Sequence, residues 1–439
     1  MKSLKVYKLI LVPGVLLSLQ SCFVAKDYER PDVVEAEFFR TDRLPQDSTN
    51  IAEISWREMF TDPVLSEYIE KGLENNIDIR IAIQQIEAAQ AYVKQGRASY
   101  FPTLNAGANV THQELSGNSQ FAALGNSSID QFDLSANLSW EADIWGRIRS
   151  NNRALQAAYL QSVAGHQAVK TELIANIASV YFQLLALDEQ LRITEETIRT
   201  RESSLETTKA LKEAGTLTEV GVQQTQAQLY RAQAVRVDLI NNIRLLENTM
   251  SILLGDAPHD IQRTELAQQQ ITTDLKTGVP AELLRNRPDV IAAEYNLVNA
   301  FEYVNVARSS FYPSLRLTAQ GGFQSLDLAE LLNTNSLFAN IAGSLTQPIF
   351  NQRRIRTEYE VAQAQQEIAF LNFRRALITA SREVSDALYN FEAAEQRIEL
   401  KNLEFESYDL ATNYSEELLN NGMANYLEVL TARENALNS

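Results

Sequence analysis

The sequence has 439 residues, of which 45% are hydrophobic and 22% are charged, and its formal net charge is -17. This length allows two or three ordinary domains, and the composition is that of a folded chain and excludes general disorder. The excess of acid repels nucleic acid and excludes it as a partner.

The amino terminus has the pattern of a secretory signal peptide over residues 1–21. Three lysines precede an apolar run at residues 9–19, which is too short to span a bilayer. The run leads into Leu-Gln-Ser-Cys at positions 19–22, which resembles the bacterial lipobox, and Cys22 is the only cysteine. We predict lipidation of Cys22 and a mature protein on a membrane surface outside the cytoplasm. A chance cysteine behind an ordinary cleavage site is the alternative.

Residues 22–76 are predicted to form a lipid-anchored segment that ends in a short helix. Asp62 and Pro63 have the residue types of an N-cap and a first helical position, and they open a helix that runs to about Asn75.

The rest of the chain is a tandem duplication. Shifting residues 78–100 by 211 positions lays them on residues 289–311 without a gap, with Asp78 on Asp289 and Arg97 on Arg308. Farther along the chain, Arg147 aligns with Arg354 at an offset of 207 positions. We predict one repeat over residues 77–254 and a second over residues 288–439, joined by an inter-repeat segment at 255–287.

Each repeat contains a very long helix. Residues 147–214 lack proline and contain a single glycine, and residues 352–421 contain neither residue type. At 1.5 Å per residue, each helix would be about 100 Å long. Apolar residues recur in both at heptad spacing, which is the pattern of an ordinary coiled coil or of a wall of packed helices. They are Ile177, Leu184, Leu191, Ile198 and Leu205, and Phe370, Leu377, Val384, Phe391, Ile398 and Phe405.

Both long helices are predicted to reverse at a glycine. Helical pattern resumes at Glu219 after Gly215 and at Tyr426 after Gly422, which indicates two tight helical hairpins with tips near 215 and 422. The helix that returns from Gly215 reaches Gly255. The repeat therefore predicts that the final helix is incomplete at Ser439 by more than about 20 residues.

Each repeat also contains two strands with alternating apolar and polar residues. They are predicted at about 102–112, 131–141, 313–323 and 337–347, with lengths of about nine to ten residues that fit a membrane β-barrel. A half-buried soluble sheet would have a similar pattern. Four strands cannot close a barrel, so we expect several chains to share one. The pattern does not fix the number of subunits.

At this point the chain resembles the TolC-like outer-membrane factors, in particular the lipoprotein branch that serves resistance-nodulation-division efflux pumps. The segments that carry the resemblance are residues 56–63, 138–147, 278–289 and 347–350. The resemblance implies a mainly α-helical homotrimer, in which each protomer gives four strands to a shared 12-stranded membrane barrel. It also implies that the long hairpins form a periplasmic α-barrel, with the short helix and the inter-repeat segment at its equator.

The function implied by the resemblance is a passive exit duct in the cell outer membrane. An inner-membrane resistance-nodulation-division pump hands over drugs, metals or other small toxic compounds, and a periplasmic adaptor (membrane fusion protein) grips the helical tips. The tip residues are Gly215, Thr216, Leu217, Gly422, Met423 and Ala424. For the glycines, a purely structural role in the turn is the alternative.

Glu428 matches a position at which the family narrows its periplasmic entrance. Three carboxylates around one axis would attract cations and repel one another, which suits a gate. A solvated helix glutamate is the alternative.

No enzyme site is indicated. His112, His166 and His259 lack the spacing of a metal site, and nucleophile, phosphate-loop and dinucleotide motifs are absent from the sequence, so we expect no catalytic residues and no cofactor. A duct for one-step protein secretion and a non-conducting, lipid-anchored trimeric surface coiled coil remain the alternatives. The sequence leaves open the cargo, the pump and adaptor, and whether the duct is open or closed.

Overall fold

The computed structural model of the protein describes residues 24–31, 55–116, 118, 128–269 and 286–439. Cys22, the predicted signal peptide and residues 270–285 of the predicted inter-repeat segment lie outside these ranges. The chain divides into two compact units. Unit 1 consists of Met1–Val33, Gln84–Gly165 and Ile291–Ala376, and unit 2 of Val34–Ile83, His166–Val290 and Leu377–Ser439.

Helices make up most of the described chain. They are α1 Trp56–Met59, α2 Pro63–Asn75, α3 Ile77–Ala98, α4 Arg147–Glu213, α5 Glu219–Leu253, α6 Pro288–Ser309, α7 Arg354–Asn420 and α8 Tyr426–Asn438. Both α4 and α7 have 67 residues, so the two long helices predicted from the sequence are confirmed. In the described ranges, no helix combines the length and the apolar character needed to cross a membrane.

Unit 1 contains a four-stranded antiparallel sheet in the order β1-β2-β3-β4. The strands are β1 Thr103–Glu114, β2 Ser128–Ala142, β3 Ser314–Ser325 and β4 Leu337–Thr346. Their lengths are 12, 15, 12 and 10 residues, so three of them exceed the predicted nine to ten. The ladder continues past the alternating apolar positions because backbone pairing does not depend on which side chains a strand carries.

The apolar side chains of the sheet are largely uncovered. Every residue of β1 is exposed, and so are nearly all residues of β4. Leu104 on β1 is 69% exposed and Ile341 on β4 is 75% exposed. Exposed apolar side chains on a regular sheet indicate a surface that is covered by something outside the chain.

The junction between β2 and α4 is closed by an aromatic contact and a cap. The Trp145 indole stacks on Tyr312 at 5.0 Å and donates a hydrogen bond to the Pro313 carbonyl at 2.7 Å. Asp143 accepts from the backbone N–H groups of Ile148 and Arg149, both at 2.9 Å, and so fixes the first turn of α4. These contacts give a physical reason for the residue types at the end of β2.

The equivalent junction between β4 and α7 has a strained backbone and an exposed aromatic side chain. Gln352 and Arg353 adopt φ angles of 54° and 65°, which favour glycine, and Phe350 is 98% exposed. Arg353 is the repeat counterpart of Gly146, whose φ is 78°. The two repeats therefore share a backbone shape here, but only the first has the glycine that suits it.

Unit 2 contains a core in which α2 packs against α4 and α5. Its fully buried side chains include Leu65 and Ile69 from α2, Ile177 and Leu184 from α4, and Met250 from α5. The predicted N-cap at the start of α2 is confirmed, since Asp62 accepts from the backbone N–H groups of Val64 and Leu65.

The heptad stripes of the two long helices differ in burial. Along α4, Ile177, Leu184, Ile198 and Leu205 are all buried. Along α7, Leu377 is buried, whereas Ile398 and Phe405 are exposed. The stripe of α7 thus presents apolar side chains that the described chain leaves partly uncovered.

Candidate functional site

The first tip is a tight reversal between α4 and α5. The N–H of Gly215 donates to the Lys212 carbonyl at 2.9 Å, and the N–H of Thr216 donates to the Leu211 carbonyl at 3.0 Å. This is the hydrogen-bond pattern of a Schellman motif, which needs a left-handed residue, and Gly215 has φ 77°. Glycine is therefore favoured here by the turn itself.

A charged pair bridges the two helices at this tip. The Lys212 ammonium lies 2.5 Å from the Glu219 carboxylate. This hydrogen bond raises the pKa of Lys212 and lowers the pKa of Glu219. Both groups are exposed, so the pair orients the turn and contributes little to stability.

The second tip repeats the geometry of the first. The N–H of Gly422 donates to the Leu419 carbonyl at 3.0 Å, the N–H of Met423 donates to the Leu418 carbonyl at 2.8 Å, and Gly422 has φ 72°. Met423 is exposed, as is Val220 beside the first tip. An exposed apolar side chain therefore lies directly after the turn glycine at the second tip and five residues after it at the first, as a binding surface requires.

Glu428 exchanges two hydrogen bonds with the N-cap residue Asn425 at the start of α8. Asn425 accepts from the Glu428 N–H at 3.0 Å, and the Asn425 amide donates to the Glu428 carboxylate at 2.9 Å. This reciprocal contact stabilises the first turn of the helix. Glu428 is exposed, so its carboxylate has a structural partner and still faces solvent.

A partly buried polar contact that the sequence did not indicate joins the two hairpins within unit 2. Arg201 on α4 donates to Gln228 on α5 at 2.5 Å, and Gln228 donates to Glu434 on α8 at 3.0 Å. Burial lowers the pKa of Arg201. The sequence carried no signal for it because the three residues come from three helices that only tertiary packing brings together.

The segment that follows the predicted lipidation site is clamped to α6 in unit 1. Asn305 accepts from the Lys26 N–H at 3.1 Å and donates to the Lys26 carbonyl at 2.9 Å, so its amide pairs with the backbone as a neighbouring strand would. Asn305 is 2% exposed. Arg30 pairs with Glu294 at 2.9 Å, and Tyr28 packs edge-on against Phe301.

Beneath this segment lies a buried carboxylate. Glu302 is 3% exposed, lies 3.0 Å from the Arg153 guanidinium and accepts from the Asn305 amide at 3.1 Å. Burial raises the pKa of Glu302 against the opposing effect of these partners. Residues 24–31, which begin two positions after Cys22, are therefore held by specific contacts.

The residues predicted as tip contacts come together within each turn, whereas Cys22 lies outside the described residues. Within the described ranges, no three His, Cys, Asp or Glu side chains are grouped so as to hold a metal ion.

Comparison with known proteins places this geometry among outer-membrane proteins. The sequence profile described as "Outer membrane efflux protein" matches residues 68–256 and 279–439. The chain is 30% identical over 432 residues to the solvent efflux pump outer membrane protein SrpC of Pseudomonas putida, covering 97% of this chain and 91% of SrpC. It is 27% identical over 422 residues to the cation efflux system protein CusC of Escherichia coli, covering 95% and 90%.

Among solved structures, the chain is similar to the open state of the Neisseria gonorrhoeae MtrE outer membrane channel. The TM-score is 0.83 at 26% identity, and the alignment covers 95% of this chain and 93% of MtrE. The order of long helices and paired strands is therefore shared over nearly the whole length of both chains.

Proposed function

Because the chain belongs to the outer membrane efflux protein family and is the outer-membrane channel of an efflux pump, not an enzyme, we propose that three copies assemble into a passive exit duct. One observation carries the proposal, namely a four-stranded sheet whose apolar side chains are largely uncovered and whose edge strands β1 and β4 pair on one side only within the described residues.

Three copies would supply enough strands for closure. About eight strands is the practical minimum for a membrane barrel, so one chain is too few. An open edge leaves backbone N–H and C=O groups unpaired, which is costly in lipid, and closure removes every edge. Leu104 and Ile341 would then face lipid or another copy.

The helical tips are the proposed contact for a periplasmic adaptor. Gly215 and Gly422 form equivalent turns, and Met423 and Val220 add exposed apolar area beside them. Thr216 and Leu217 at the first tip, and Ala424 at the second, complete the proposed contact surface. Glu428, exposed at the base of the second tip, is the proposed aperture residue.

The proposed partners are a periplasmic membrane fusion protein and an inner-membrane resistance-nodulation-division pump. The named relatives serve a solvent pump and a cation system. Since similar channels accompany such different cargoes, the pump is the component that selects what is exported, and the proposed cargo is a small toxic compound, a drug or a metal ion.

Conductance across a planar lipid bilayer tests the duct. We expect the purified full-length protein to insert as a trimer and to give discrete single-channel steps. A matched sample denatured before reconstitution should give none. A trimer that inserts and leaves the bilayer electrically silent would overturn the duct in favour of a non-conducting surface protein.

A further inference from the structure

Within the described residues, β1 and β4 are the two edge strands of the sheet and lie at opposite ends of the order β1-β2-β3-β4. The duplication offers a way to predict how they meet in the proposed trimer, because the joint between β2 and β3 already pairs the second strand of one repeat with the first strand of the next. The β4–β1 joint between two copies is the same kind of joint.

The two hairpins pair their strands in equivalent registers, so the sequence repeat is matched residue by residue in the sheet. Thr103 pairs with Ser139 in the first hairpin, and Ser314 pairs with Thr346 in the second. The first strands of the hairpins are therefore offset by 211 positions and the second strands by 207. The sequence repeat has the same two offsets, 211 from Asp78 to Asp289 and 207 from Arg147 to Arg354.

We propose that β4 of one copy pairs with β1 of the next copy in the register that these offsets transfer from the β2–β3 joint. Inside the chain, Leu138 pairs with Ala319. Adding 207 to the residue number of Leu138 gives Leu345, and subtracting 211 from that of Ala319 gives Ala108. The transferred register therefore places Leu345 opposite Ala108 of the neighbouring copy. The proposal rests on the trimer of the proposed function.

The same step applied along the joint gives a continuous antiparallel ladder. Phe132 and Ser325 at one end of the β2–β3 pairing give Ala339 opposite Glu114. Ser135 and Gly322 in its middle give Ala342 opposite Thr111. All of these residues lie in the observed strands, so these pairs form without any shift or extension of either strand.

The transferred register also accounts for two conspicuous exposed side chains. Ala142 pairs with Leu315 at the far end of the internal joint, and its transfer places Ile349 opposite Leu104 of the next copy. Ile349 lies three residues past Thr346, the last residue of β4, so this pair requires β4 to continue beyond Thr346 when two copies meet. Ile349 is 79% exposed and Leu104 is 69% exposed in the single chain. As a cross-strand pair they would cover each other, because directly opposite side chains lie about 5 Å apart.

Disulfide cross-linking distinguishes this register from its neighbours. In a direct cross-strand pair the Cα atoms lie about 4.5–5.5 Å apart, within the range that a disulfide spans, whereas a partner two residues away is about 7–8 Å distant. We expect the double variant Leu345→Cys with Ala108→Cys to give a covalent trimer on non-reducing gels after mild oxidation. Pairing Leu345→Cys with Ala106→Cys or with Val110→Cys should give at least about fivefold less.

A second pair and single variants serve as controls. Ala342→Cys with Thr111→Cys should also cross-link, which keeps the test valid if the first pair disturbs folding. Each single variant should give no covalent trimer, which excludes a contribution from Cys22.

The outcomes separate the register from the assembly. Cross-linking that is stronger for an off-register pair, or a native trimer that cross-links in neither predicted pair, would overturn the register and leave the trimer intact. A monomer by native mass measurement, without cross-links, would overturn the proposed assembly itself.

Discussion

At the scale of single residues, Asp62 is a carboxylate in unit 2 that accepts hydrogen bonds from several parts of the chain. Besides capping α2, it accepts from Tyr181 at 2.9 Å, from Thr264 at 2.5 Å and from Gln269 at 2.7 Å. Burial acts to raise the pKa of Asp62, but these hydrogen bonds outweigh it, and the pKa is lowered. One carboxylate thus ties the start of α2 to α4 and to the chain that follows α5.

We predict that Asp62→Ala destabilises the protein by about 3 kcal/mol at pH 7, since it removes a cap and several hydrogen bonds to a charged group. Asp62→Asn should cost less because it keeps an oxygen that can cap α2. The effect should depend on pH. A lowered pKa stabilises the fold above the ordinary Asp value of about 3.9, and this contribution is lost as the pH falls through the folded-state pKa.

Thermal unfolding at pH 7 and at about pH 3 checks the prediction. The difference in midpoint between wild type and Asp62→Ala should narrow at the lower pH. Glu58→Ala, which removes a carboxylate from the exposed helix α1, is the matched control and should change the midpoint little. An equal difference at both pH values would contradict the role given to the ionised form.

At the scale of elements, the two hairpins depend on their turn glycines for a reason that is purely local. A Cβ atom added at Gly215 or Gly422 would meet nothing within 4 Å, so the obstacle to substitution is the positive φ and not a clash. Gly165, inside α4, also has open space around it, but it has ordinary helical backbone and no positive φ.

We therefore expect Gly422→Ala to cost about 1 kcal/mol, whereas Gly165→Ala should be neutral or stabilising by a similar amount. Gly422→Trp has the same backbone strain as Gly422→Ala, and its Cβ atom would meet nothing within 4 Å in the isolated chain. If the tips bind an adaptor, only the tryptophan variant should abolish efflux. Thermal midpoints and resistance of cells to the exported compound measure the two effects separately. Full resistance with Gly422→Trp would place the adaptor contact elsewhere.

At the scale of the whole molecule, the segment after Cys22 links a proposed lipid to a folded unit. Asn305, Glu294 and Phe301 hold residues 24–31 against α6. An acyl chain on Cys22 would then be tethered within a few residues of a fixed point, which restricts where it can enter the membrane.

We predict that Cys22 carries lipid in cells. Metabolic labelling with palmitate should mark the wild-type protein, and Cys22→Ser should lose the label because no other cysteine is present. Asn305→Leu is a useful companion, since it releases the clamp and should leave the label unchanged. A Cys22→Ser protein that stays labelled would disprove lipidation at this residue.

Much of the architecture follows from local sequence. The absence of helix breakers determines the long helices, a glycine with positive φ determines each tip, and Asp62 with Pro63 determines the start of α2. Alternation indicated the strands, although their ends extend beyond the apolar positions because backbone pairing does not need apolar side chains.

Only the tertiary structure decided which side chains meet across distant parts of the chain. The capping role of Glu428 was readable in principle from Asn425 three residues before it. Three other sets of contacts could not be read from the sequence. They are the contact of Arg201 with Gln228 and Glu434, the hydrogen bonds of Asn305 to Lys26, and the hydrogen bonds that converge on the Asp62 carboxylate. Those contacts join residues whose separation in sequence carries no periodic signal, because packing and not local backbone preference selects them. The duplication lies between these cases: the sequence contained its offsets, and the sheet registers showed that the backbone follows them.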